Sequence, residues 1–336
     1  METRPWRRPL MGVLVSAAVP AVLLLAAVVT SWGPRRAQWL DQHGVGSRLG
    51  AAILYRALTG KLLVDRVGSR FSRPAQQRRA QVFARARNDQ AFRRLGEPAP
   101  GEWLASFDEP GQTVDDYVRK GFTAKTAQRR VLHIQPYDDL IASHQALLPA
   151  IRRYVAAFYD MPVQVLPPLP LKRQWLDPGR SQVDATPIAQ DLARQVRRNS
   201  VGVLGLVSSD LYAWNLNFVF GVGLFERRAG VHSLHRYGDE QPALTRRALK
   251  LGAHELGHMF GLEHCVFYAC TMNGTNSLAE LDRQPAHLCP VCHEKLRRAL
   301  GFDPVKRYQK LAKVYREVGL ADEASFVTAR AADLDR

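Results

Sequence analysis

His254-Glu255-Leu256-Gly257-His258-Met259-Phe260-Gly261-Leu262-Glu263-His264 is the stretch from which the rest of the chain can be read. Its fixed positions form H-E-x-x-H-x-x-G-x-x-H. Residues four apart on an α-helix share one face, one turn apart, so His254 and His258 can reach a single metal ion. Glu255 projects beside them and is free to handle a proton rather than bind the metal. Gly261 stands where such a helix must stop, because glycine accepts the left-handed conformation that turns the chain away. That turn would return His264 as a third ligand. Three neutral imidazoles with a fourth position left open match the ligand set of a catalytic zinc site. A bare H-E-x-x-H arises by chance in on the order of one chain in a hundred of this length; the added Gly and His make coincidence roughly a thousandfold rarer.

The residues that follow extend the pattern. Cys265 comes directly after His264, then Cys270 and Met272, and after sixteen intervening residues Cys289-Pro290-Val291-Cys292. All four cysteines of the chain lie in this span. C-x4-C with a following C-x-x-C offers four thiolates at the spacing of a structural zinc site. Two disulfides, or buried inert thiols, are the alternatives, and disulfides gain weight in an oxidising compartment. His287 and His293 flank the second pair as substitute ligands, or as solvated or supporting residues.

From His254 to Cys292 the chain resembles the archaemetzincin signature, H-E-x-x-H-x-x-G-x-x-H-C-x4-C-x-M followed by C-x-x-C. The gap before the last pair is sixteen here and seventeen as the signature is commonly written. The resemblance implies a metzincin-type zinc metallopeptidase with two zinc ions per chain. His254, His258 and His264 would bind the catalytic zinc, with Glu255 as general base. Cys265, Cys270, Cys289 and Cys292 would bind a structural zinc, and Met272 would form a hydrophobic floor beneath the site. The stretches VLHIQP, VQVLPPLPL, LGLVSSDLY, LNFVFG and VHSLHRYG also look like archaemetzincin segments, which carries the likeness over residues 98–300. The segment from Gly101 to Tyr117 resembles a lead-in of the longer, eukaryotic-type members and reads as structural.

The element pattern agrees with that class. Val131–Pro136, Val163–Leu166 and the continuous apolar run Val201–Val207 read as strands, the last buried on both faces. The stripe Leu140, Ile141, Leu147, Leu148, Ile151, Tyr154, Val155 and Phe158 reads as helix, as do Thr186–Arg197 and Pro242–Phe260. Strands alternating with helices predict an α/β domain of α+β, metzincin-like type: a twisted mixed sheet packed by helices, with the zinc-binding active-site helix and the four-cysteine zinc knuckle. Val231–Tyr237 alternates enough for an exposed edge strand, and by the resemblance His232–Arg236 would line a cleft for extended peptide.

The rest bounds the organisation. The chain has 336 residues, 46% hydrophobic, enough for one catalytic domain with a real core plus appendages. Leu10–Val29 is an uncharged apolar run of bilayer-spanning length behind Arg4, Arg7 and Arg8. It predicts an N-terminal transmembrane helix acting as an uncleaved anchor, with the catalytic domain extracytoplasmic. A cleaved signal peptide and a secreted protein is the alternative. The predicted divisions are 1–36 anchor, 37–97 basic helical stalk, 98–300 peptidase domain and 301–336 C-terminal helical hairpin. A net charge of +16 favours anionic partners, but the arginines are dispersed in pairs. With no aromatic platform or reading helix, no specific nucleic acid is expected. The expected partners are a peptide or protein substrate and the membrane. The competing functional reading is a zinc-stabilised, membrane-associated binding protein with little proteolysis. Glu226, Asp239, Glu240 and Glu263 are the acidic residues able to hold a substrate amine if the enzyme were an aminopeptidase.

Overall fold

A computed structural model describes residues 90–335, all within the compact unit Ser69–Arg336. The expected anchor at 10–29 and the stalk up to residue 89 lie outside the described residues; the stalk's last residues, 90–97, form no helix, because Phe92 packs into the core and Arg94 bridges to Tyr268. Among the described residues no helix is long and apolar enough to cross a membrane.

In chain order the elements are α1 (Trp103–Ser106), α2 (Val114–Lys120), β1 (Val131–Pro136), α3 (Ala142–Gln145), α4 (Leu148–Tyr159), β2 (Val163–Val165), β3 (Leu176–Asp177) and β4 (Gln182–Asp184). They continue with α5 (Ala185–Arg194), β5 (Ser200–Val207), β6 (Leu211–Tyr212), β7 (Gly221–Leu224), β8 (Ala229–Ser233) and α6 (Ala243–Met259). The chain closes with α7 (Leu278–Arg283), α8 (Pro290–Leu300), α9 (Pro304–Glu317) and α10 (Ala321–Leu334).

The main sheet has five strands in the order β2-β1-β5-β8-β7. The first four run parallel, and β7 is antiparallel to β8 at the edge. Every residue of β5 is buried, as its apolar run requires. Its side chains divide by the two-residue period. Leu204 and Leu206 share one core with Leu132, Ile134, Ile151, Phe158, Leu249 and Leu256, which places α4 and α6 on that face. Val203 and Val207 share the other with Ile188 and Leu192 of α5. A short sheet, β3-β4-β6, stands apart from it.

One strand differs from the sequence reading. The stretch expected at the edge forms β8, which pairs on both sides, with β5 and with β7. His232 is fully buried. The true edge is Gly221–Leu224, where two glycines in four residues hide the alternation that marks a half-exposed strand. They are small for a reason: a Cβ on Gly221 would lie 2.7 Å from the Glu255 side chain. The edge strand thus lies directly against the helix that carries the motif.

The C-terminal hairpin α9–α10 turns at Gly319 and packs on α4. Its charges are not all solvated. Arg307 is fully buried and donates to the Phe158 carbonyl at 2.7 Å. Glu323 is buried too, and accepts from the Ala286 amide at 2.8 Å and from His287 Nδ1 at 2.7 Å. The hairpin therefore clamps the loop that leads into Cys289.

Candidate metal centres

The motif residues sit at the C-terminal end of α6. Leu244, Ala248, Leu249, Leu251 and Leu256 bury the helix face that meets the sheet. Phe260 caps the helix, and Gly261 then takes a φ of +88°, which reverses the chain so that His264 returns to its neighbours. The three histidines offer ligand atoms that all lie within 4.8 Å of one another.

Each ring is held by its other nitrogen. His254 Nδ1 donates to the Thr271 carbonyl at 2.9 Å, and His258 Nδ1 to the Leu262 carbonyl at 2.7 Å. His264 Nδ1 donates to the Glu109 carboxylate at 2.7 Å. An oxygen acceptor at Nδ1 fixes the tautomer with its lone pair on Nε2, the arrangement of metal-ligating histidines. The Nε2 atoms of His254 and His258 are 2.9 Å apart, close to the roughly 3.3 Å edge of a tetrahedron of nitrogens about 2.0 Å from zinc. Burial lowers the pKa of His254 well below the ordinary value, and burial with the neighbouring His264 lowers His258 to about 4. These two rings are therefore neutral near pH 7, as ligands must be.

Glu255 is buried beside them with no charged neighbour to offset desolvation, and burial pushes its carboxyl up to about 8. Met272 is fully buried, and its sulfur packs against Gly257 between the two helical histidines. Burial works to raise the Glu109 carboxyl, but the charge and hydrogen bond of His264 outweigh it and hold the group below its usual value.

The second cluster is closed. Cys265, Cys270, Cys289 and Cys292 are all buried, unpaired by disulfides, and converge within 4.8 Å. The Cys265 and Cys289 sulfurs stand 3.6 Å apart, near the roughly 3.8 Å edge of a tetrahedron with zinc–sulfur distances of about 2.3 Å. Burial pushes the Cys270 and Cys289 thiols well up; for Cys265 the same burial is outweighed by hydrogen bonds from its three partners, which hold it well down. Four thiols in one dry pocket suit a dication, since without one their negative charges repel. Asn273 braces this loop: its side chain donates to the Cys265 carbonyl at 2.6 Å and accepts from the Cys270 amide at 2.8 Å.

His287 and His293 do not join the cluster. His287 pairs with Glu323, and His293 stacks on Tyr308. Of the acidic residues considered for an amine, Asp239 and Glu240 are exposed and Glu263 pairs with Lys120. Glu109, Thr271 and Asn273 escape a reading by spacing. Glu109 lies 155 residues from its partner, and the others act through individual hydrogen bonds to ring or backbone groups that leave no periodic trace.

Comparison with known proteins places the chain in a family. Residues 188–298 match the model of peptidase family M54. The archaemetzincin of Thermococcus kodakarensis is 36% identical over 138 residues, covering 39% of this chain and 70% of that protein. The chain belongs to the archaemetzincin family. It is by class a zinc metallopeptidase. Human archaemetzincin-2 is 28% identical over 261 residues, covering 64% of this chain and 72% of the relative. The crystal structure of the Methanopyrus kandleri archaemetzincin, at 32% identity, superposes with a TM-score of 0.47 and covers 52% of this chain and 96% of that one.

Proposed function

We propose that this archaemetzincin hydrolyses peptide bonds at a zinc held by His254, His258 and His264, with Glu255 as general base, and that the four cysteines hold a second, structural zinc. The observation that carries the reading is three Nδ1-tethered imidazoles that converge beside one buried carboxylate, under an edge strand. Zinc bound there supplies a Lewis acid that acidifies water and polarises a carbonyl.

The chain's own residues account for the remaining requirements. Glu255 has no hydrogen-bonding or charged partner among the described residues, so its carboxylate is available to take a proton from attacking water and deliver it to the leaving amine. Burial alone favours the protonated form of Glu255, with a pKa of about 8; a dication held by the histidines would favour the carboxylate that the base role needs, while the raised proton affinity suits the delivery step. The edge strand β7 lies over Glu255 and, among the described residues, has no neighbour on its far side in the sheet. An extended peptide can add to that edge by main-chain hydrogen bonds, which asks little of its side chains. Such binding would set the scissile bond across the mouth of the histidine cluster and favour chain-internal cleavage.

Glu255→Ala tests the central assignment. The variant is expected to keep wild-type zinc content by elemental analysis and to lose at least ~100-fold in turnover of a peptide library, the lower range for a removed general base. Normal hydrolysis by that variant would remove Glu255 from the mechanism.

A further inference from the structure

The third ligand is supported differently from the other two. The supports of His254 and His258 are backbone carbonyls, Thr271 and Leu262, at 17 and 4 residues' separation. His264 lies beyond the Gly261 turn, off the helix, where no carbonyl of the motif reaches its Nδ1. Its acceptor comes from a strap, residues 99–117, that precedes the family-matched stretch.

The strap is built around that contact. Trp103 Nε1 donates to the same Glu109 oxygen at 3.0 Å. The Trp103 ring meets His264 edge-on at 4.9 Å and stacks on Phe107 at 4.2 Å. Gly274, on the loop after Met272, leaves the space that Trp103 fills; any Cβ there would strike the indole. Further along, Gln112 holds the Gly261 carbonyl at 3.1 Å and the Glu263 amide at 3.2 Å. Tyr117 donates to the Phe260 carbonyl at 2.9 Å. The strap therefore grips the whole reversal that delivers His264. Glu109 is not among the convergent ligand atoms, so it acts through the imidazole.

We propose that Glu109 is a positioning residue for the catalytic metal: it fixes the tautomer and orientation of His264 and strengthens that ligand with a negative charge. The proposal rests on the reading that the three histidines hold zinc. A carboxylate differs from the carbonyls at the other two ligands because its full charge offsets part of the dication's. Loss of such a partner costs metal affinity about tenfold to a hundredfold in other histidine–zinc sites.

The test measures zinc affinity by chelator competition on the full chain, for wild type, Glu109→Ala, Glu109→Gln and Tyr117→Phe. Glu109→Ala is expected to weaken one of two zincs by about tenfold to a hundredfold and to shift the visible bands of the cobalt-substituted site. Glu109→Gln can still accept both hydrogen bonds but lacks the charge, so a smaller loss is expected. Tyr117→Phe loosens the same turn without touching the Glu109–His264 pair, so a loss well below that of Glu109→Ala is expected. Wild-type affinity and cobalt spectrum in the Glu109 variants would overturn the proposal. So would an equal loss in Tyr117→Phe, since the strap would then act only as structure. If Glu109→Ala does not fold, Glu109→Gln decides: affinity equal to wild type overturns the charge role. A separate control guards the underlying reading: zinc content that does not fall by one in His258→Ala would sink the histidine site itself, and the proposal with it.

Discussion

The histidine cluster and the cysteine cluster are adjacent in sequence and opposite in construction. All four cysteines are fully enclosed, whereas two of the three histidines are only partly buried. The cysteine cluster turns all four sulfurs towards one another and is braced by backbone amides, with Cys270 Sγ accepting from Met272 at 3.4 Å and from Cys289 at 3.3 Å. The histidine cluster offers three donors, is only partly buried, and keeps the Glu255 carboxyl nearby under β7. Closure favours stability and an open side favours chemistry. One short segment, His254–Cys292, thus carries both the closed cluster and the partly open one.

The sharpest way to break this comparison is to remove a cysteine. Cys270→Ala is expected to abolish soluble folded protein, measured by circular dichroism and zinc content. Metal free energy at structural zinc sites is about 10–16 kcal/mol, as large as the net stability of a whole domain at about 5–15 kcal/mol. The loop from Cys265 to Cys292 also supplies Thr271 and Met272 to the histidine site. A Cys270→Ala variant that stays folded and active would show that the two regions are independent and the cysteine cluster dispensable.

Much of the histidine cluster is legible in the sequence because two of its residues recur at helical spacing. H-E-x-x-H needs only the 3.6-residue turn to be read, and Gly261 needs only its left-handed φ. The central strands β1 and β5 declare themselves by apolar runs, and α6 by its stripe. The edge strand was misplaced because GVGL lacks alternation, its small residues being set by the close approach to Glu255. Glu109 was hidden for another reason. A hydrogen bond across 155 residues is a product of tertiary packing, and the strap's own sequence carries no metal-ligand spacing and reads only as a structural lead-in.

A subtler break would come at Lys250, one helical turn before His254. Its buried ammonium nitrogen donates to the carbonyls of Leu281 and, at 2.8 Å, Gln284, and so ties the catalytic helix to the loop leading towards Cys289. Burial, helped by the neighbouring Arg246, depresses its pKa to about 7. Between about 7 and the ordinary lysine value the unfolded chain binds the extra proton and the folded chain does not. Stability contributed through this group therefore rises with pH across that window. Lys250→Met should melt lower than wild type at pH 7 by several degrees, since two buried carbonyls lose their donor. The gap should widen towards pH 10, because only the wild type gains. A gap that stays constant would mean Lys250 is charged in the folded state.

The smallest effect is expected at the surface of the strap. Lys120 pairs with Glu263, one residue before the third ligand, and both side chains are about half exposed. Solvent and salt screen such a pair, and exposed ion pairs contribute about 0–1 kcal/mol. Lys120→Ala should therefore leave zinc affinity unchanged and alter the melting temperature by no more than a few degrees. The contrast with Glu109 is informative because both pairs join the strap to the same turn. One is about half exposed and acts on Glu263, which lies outside the convergent cluster; the other is covered by Trp103 and acts on His264 within it. A loss of zinc affinity in Lys120→Ala comparable to that in Glu109→Ala would mean that the seating of the turn as a whole, rather than the carboxylate at His264, governs the open site.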